Sequence, residues 1–141
     1  MIRAYKSYWK NYFNFKERTS RKDYWLVVLM NFIVTFVVFF IIGFIMGLLG
    51  KEVPALTGTS ANEVMTYYME FLKTPAGILA IIWSLANLIP GIAIVVRRLH
   101  DANFSGWFYL LILIPYIGSI ILVIFMLLPS KEEGQRFGLY A

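Results

Sequence analysis

Residues 25–49 read WLVVLMNFIVTFVVFFIIGFIMGLL, without one formal charge. At 1.5 Å of rise per residue, a helix of that length crosses a hydrocarbon core of about 30 Å. Lipid offers the backbone no hydrogen-bond partners, so such a run reads as a helix and not as an open strand. It lacks a small-x-small cleavage site and opens only after a long basic segment. It therefore reads as an anchor rather than a cleaved signal.

Two further runs, 78–96 and 107–128, have the length and composition of spans. The whole chain agrees: 141 residues, 60% hydrophobic, 18% aromatic and 15% charged, with a mean hydropathy of +0.69. A soluble domain carries about 45–50% apolar and about 25% charged residues. Disorder, a nucleic-acid-binding domain and most soluble enzymes are excluded. The expected fold is all-α, a multi-pass transmembrane helical protein forming one membrane domain over residues 1–141. Its parts are an interfacial segment 1–23, span one 25–49, an outer loop 51–75, span two 78–96, an inner loop 97–106, span three 107–128 and a tail 129–141. Trp25, Trp107 and Tyr24 mark the interfaces, where aromatic rings settle.

The net charge of +5 is not spread evenly. Arg3, Lys6, Lys10, Lys16, Arg18, Arg21 and Lys22 are seven of the 13 basic residues. The loop 51–75 holds two, the loop 97–106 two and the tail two. With three spans and the N-terminus inside, nine basic residues lie inside and four outside, which favours N-in and C-out. If span three instead doubled back at Pro115 and Gly118, the tail would return inside and the balance would be eleven to two. Each arm would then be too short to cross alone, making the segment re-entrant; a central proline more commonly kinks a span.

Tyr5, Tyr8, Trp9, Tyr12 and Phe13 fall on one face of a helix, with Arg3, Lys6 and Lys10 away from it. That pattern predicts an N-terminal interfacial amphipathic helix that fixes where the first span begins. Near an anionic surface each basic residue contributes about 1 kcal/mol, so seven supply an upper bound of about 7 kcal/mol. Between the spans, Ser60 and Glu63 form a capping box for a short extracytoplasmic helix over 61–73, ended by Thr74 and Pro75, with Lys51–Thr59 as a linker. Gly43 and Gly47 form a G-x-x-x-G, suited to internal helix packing or to homodimerisation. Asn31, Thr35, Ser84 and Asn87 suit hydrogen bonds between helices. Pro90 and Gly91 predict a kink in span two. No Asp, Glu, Lys, Arg or His falls inside a span, which weighs against an ion-coupled transporter.

The chemistry gathers in the inner loop, Arg97-Arg98-Leu99-His100-Asp101-Ala102-Asn103-Phe104-Ser105-Gly106, ahead of Trp107. Ser105 is placed to cap span three. Arg97 and Arg98 suit a phosphate or lipid headgroup. Asp101 is expected to pair with an arginine, Arg97 or Arg98 or one of Arg18 and Arg21, and so lock the turn. Ser105, His100 and Asp101 carry the residue types of a catalytic triad, but they crowd one short segment, and one His beside one Asp is a poor metal site. No catalytic residue, metal site or cofactor is expected.

Residues 15–25, FKERTSRKDYW, resemble the F-x-G-R-x-S-R-x-x-Y-W opening of a widespread family of small bacterial inner-membrane proteins classed as a domain of unknown function, the YhaH/YhaI-like family. Arg97-Arg98-Leu99-His100-Asp101 with Ser105-Gly106-Trp107 is similar to its second signature. Pro115 and Gly118 match its third span, and Gly134-Gln135-Arg136-Phe137-Gly138 resembles its ending. Glu17 stands where the family has Gly, and Gln135 where it has Asn. The resemblance implies a multi-pass protein of the bacterial plasma (inner) membrane and brings no activity with it. The sequence leads to a non-enzymatic lipid- or protein-binding component with its N-terminus cytoplasmic. Arg18, Arg21, Arg97, Arg98, His100 and Asp101 form its binding cluster, and anionic phospholipids, other membrane proteins or a second copy are the partners. A small oligomeric transporter or pore, and an enzyme acting on lipid headgroups, are the alternatives.

Overall fold

The computed structural model describes residues 1–50 and 60–140, so the linker expected over 51–59 lies outside the described residues. Among the described residues the regular elements are all helical. They are α1 (Ile2–Lys10), α2 (Arg21–Leu48), α3 (Ala61–Lys73), α4 (Pro75–Asp101), a 3-10 helix Gly106–Leu113, α5 (Ile117–Leu127) and a 3-10 helix Glu132–Phe137. Two compact units emerge, Phe32–Ala86 and the combination of Met1–Asn31 with Asn87–Ala141.

In the unit Phe32–Ala86, the indole Nε1 of Trp83 donates to Thr35 Oγ1 at 3.2 Å, tying α4 to α2. Phe32, Phe36 and Phe40 stack at i, i+4 spacing with their rings exposed. Leaving such side chains in water costs roughly 1.5–3 kcal/mol each. A helix with almost none of its apolar window buried in protein therefore needs hydrocarbon around it. α2 and α4 are both long and apolar enough to span. α3 covers the expected residues, with Ser60 Oγ accepting from the Glu63 amide and the Glu63 carboxylate accepting from the Ser60 amide. Gly43 and Gly47 face open space, so neither packs against a described residue.

In the other unit, Tyr8 of α1 is buried among Ala4, Val27 and Ile94. Its hydroxyl donates to Asn87 Oδ1 at 3.0 Å, and Tyr5 donates to Asn31 Oδ1 at 3.4 Å. The polar span residues thus hold α1 in place. The helix ends at Lys10, leaving Tyr12 and Phe13 in the turn beyond it. Ser20 precedes α2 and caps it: its hydroxyl accepts from the Asp23 amide at 3.1 Å and donates to the Asp23 carboxylate at 2.9 Å.

Two expectations are corrected here. Arg97–Asp101 is not loop but the last turn of α4. Cations are favoured at that end by the helix dipole. The helix stops only where Asn103 turns left-handed (φ 67°), with the Phe104 amide bonded to Leu99 O and the Asn103 amide to His100 O. This is a Schellman ending.

Nor is 107–128 one span. Ser105 does cap the segment, accepting from the Trp107 amide, but the 3-10 helix stops at Leu113. Proline at 115 has no N–H to give, and the Ile117 amide bonds to Pro115 O at 2.7 Å around Tyr116 at φ 62°, ψ −62°. That is a γ-turn, a strained one. α5 then returns toward the end of α4, where Leu122 and Met126 pack on Leu99. Its 11 residues span about 16 Å, half a hydrocarbon core.

The hairpin closes tightly because residue 118 has no side chain: a Cβ on Gly118 would overlap the Leu111 carbonyl. Gly118→Val is expected to cost about 1–3 kcal/mol or more. Unfolding of the detergent-solubilised chain measures it, and unchanged stability would mean that the arms do not meet.

Candidate functional site

Six of the buried residues between Arg18 and Asp101 are polar or charged. The Asp101 carboxylate lies at their centre, fully buried. Its Oδ2 accepts from Arg98 Nη1 at 2.7 Å and from the Ser130 hydroxyl at 2.5 Å, and Oδ1 faces Arg18 Nη1 at 3.7 Å. Each arginine also holds carbonyls of the tail. Arg98 donates to Met126 O at 3.3 Å and to Leu128 O. Arg18 donates to Gly138 O at 2.9 Å and Lys131 O at 3.4 Å, and lies over the Tyr140 ring. Backbone bonds complete the tie: Lys131 N to Asp101 O at 2.9 Å and Arg18 N to Leu139 O at 2.9 Å. Gly134 fits because a Cβ there would press on His100 O at 2.6 Å.

The expected pairing of Asp101 with an arginine is therefore a bridge to two of them, Arg98 and Arg18. His100 turns its ring flat onto Phe137, with centroids 4.2 Å apart. Arg21 is exposed at the start of α2, outside the buried group, and donates to Leu127 O at 3.4 Å. Among the described residues no group of His, Asp and Glu could hold a metal ion. Ser130, Gly134, Phe137 and Tyr140 went unassigned in the sequence. Gly134 and Phe137 belong to the tail pattern GQRFG, which carries no chemistry by itself, and Ser130 and Tyr140 lie outside it with no signal of their own.

Arg97 differs from the two arginines that Asp101 bridges. It is 1% exposed, yet Nε and Nη1 have no hydrogen-bond partner, and it makes no ion pair among the described residues. Thr19 N bonds to its carbonyl at 3.2 Å, and Arg97 is one of the residues bordering a cavity of about 660 Å³. Arg3, Lys6 and Lys10, the basic back of α1, line the same cavity. So do Glu17 and Asp23, leaving the lining two charges positive. Glu17 accepts from Asn14 Nδ2 at 2.5 Å and Asp23 from the Ser20 hydroxyl, and both keep their negative charge, that of Glu17 attracting Arg97. Burial pushes the Tyr8 phenol up to about 12, so it stays neutral and supplies no counter-charge.

The match to a known family covers the ion cluster and the segments it ties together, but begins after α1. A family described as "Protein of unknown function (DUF805)" matches residues 12–139. The chain belongs to the DUF805 family. Inner membrane protein YhaI of Escherichia coli (strain K12) is 32% identical over 134 residues, covering 95% of this chain and 91% of the relative. Inner membrane protein YhaH of the same strain is 34% identical over 129 residues, covering 92% and 88%. No solved structure matches significantly. This DUF805 chain is an inner membrane protein with transmembrane helices. The family match takes in Arg18, Arg97–Asp101 and the tail that Arg18 and Arg98 hold.

Proposed function

We propose that this DUF805 protein is a non-enzymatic component of the inner membrane whose cytoplasmic face binds anionic lipid. The observation that carries the reading is the tie between the segment before α2, the end of α4 and the tail. It gathers Lys16, Arg18, Arg97, Arg98, Lys131 and Arg136 at one end of the helices. If α2 and α4 each cross once, only Lys51 and Lys73 of the 13 basic residues fall on the far side. An eleven-to-two imbalance supports a cytoplasmic N-terminus and attraction to an anionic leaflet. The commitment of Asp101 to two arginines and Ser130, away from His100, supports a binding role over a catalytic one.

The test is the lipid that the chain keeps. After gentle detergent extraction, phosphatidylglycerol and cardiolipin are expected to be enriched over zwitterionic lipid about two-fold or more relative to the bulk membrane, weakening as salt is raised. Retained lipid of bulk composition, measured by phosphorus NMR or mass spectrometry, would remove the reading.

A further inference from the structure

A buried arginine without a partner is an expensive arrangement, because a charge taken out of water demands compensation. Arg97 has two unpartnered donors, Nε and Nη1, in a side chain 1% exposed. Its neighbour Arg98 shows what compensation looks like, with Asp101 and two carbonyls around it. Arg97 has instead a cavity of about 660 Å³, within the range of about 300–1,000 Å³ of ligand clefts. Three more cations line that cavity from α1 against two carboxylates, Glu17 and Asp23; Glu17 attracts Arg97, and a surplus of two positive charges remains. Four cations around one space call for a group with several oxygens and more than one possible contact. A guanidinium matches tetrahedral phosphate oxygens through directed, charge-assisted bonds, and lysines add point charge.

We propose that this cavity binds a phosphate-bearing group, with Arg97 as its fixed cation and Arg3, Lys6 and Lys10 as its outer cations. The site deepens the anionic-lipid reading and rests on it only for the source of the phosphate, a lipid headgroup or free phosphate.

The purified full chain in a neutral maltoside detergent is titrated with inorganic phosphate and, separately, with dioctanoyl phosphatidylglycerol, by isothermal titration calorimetry. Arg97→Gln and the exposed double variant Lys6→Glu/Lys10→Glu are run beside it. Saturable binding of at least one probe to one site per chain is expected, weakened about tenfold or more in both variants. Binding of both probes assigns the site to the phosphate itself, and binding of the lipid alone assigns it to a headgroup. The double variant lies on the surface of α1 and carries the test if Arg97→Gln fails to fold. Absence of saturable binding by either probe, or affinity unchanged in the variants, overturns the site. Enrichment of anionic lipid that persists in that case leaves the surface reading intact, so the two failures are distinguishable.

Discussion

Asp101→Ala is expected to destabilise the chain by about 3–5 kcal/mol, the usual cost of stranding a buried charge. The carboxylate is fully buried and faces Arg98 Nη1 at 2.7 Å and Arg18 Nη1 at 3.7 Å. Removing it leaves two guanidiniums repelling one another with carbonyls and the Tyr140 ring but no counter-charge from Asp101. The loss spreads beyond the pair, because those same arginines hold Met126 O, Leu128 O, Lys131 O and Gly138 O. The tail is therefore expected to come loose, with protease cutting after Lys131 or Arg136 where the parent chain resists. Asp101→Asn keeps an acceptor for Arg98 and a partner for Ser130, and should lose less. Thermal unfolding in detergent with limited proteolysis checks both. A stable Asp101→Ala chain with a protected tail would mean that the arginines are held by the carbonyls alone.

That tie was half legible in the sequence. Asp101 beside two arginines announced an ion pair, and Ser60 with Glu63 and Ser105 announced caps that the structure contains. The partners of Arg18 and Arg98 were not legible, since most are backbone carbonyls, which every residue carries. Reading 97–106 as a loop also hid the difference between Arg97 and Arg98. On a helix, adjacent residues point about 100° apart. Arg98 therefore bonds to carbonyls at the end of α5 while Arg97 borders a cavity. The basic back of α1 is visible as a pattern, but its neighbour Arg97 is far from it in sequence and nothing in the spacing joins them. The third span failed for a different reason. Pro115 permits a kink or a reversal, and what decides is Tyr116 accepting a strained γ-turn while Gly118 lets Leu111 approach.

The reversal makes an all-or-none prediction, and a chain without native cysteine suits it. Lys16→Cys and Leu139→Cys place thiols at exposed positions beside the tie, and Asn62→Cys places one on α3. In inside-out membrane vesicles, an impermeant maleimide is expected to label residues 16 and 139 and to spare residue 62; right-side-out vesicles should give the converse. A continuous third span would move residue 139 to the side of residue 62. Tyr116→Cys, at the tip of the hairpin, should resist the reagent from both sides, since two arms of about 16 Å end within a hydrocarbon core of about 30 Å. The labelling also bears on how the chain inserts. The arms Gly106–Leu113 and Ile117–Leu127 hold no charge to oppose crossing, so the return must be enforced by packing on Leu99 and by the grip of Arg98 on Leu128 O. Combining Asp101→Ala with Leu139→Cys separates the two. If the grip holds the tail, residue 139 becomes labelled from both sides; if apolar packing suffices, its sidedness survives the loss of the ion pairs.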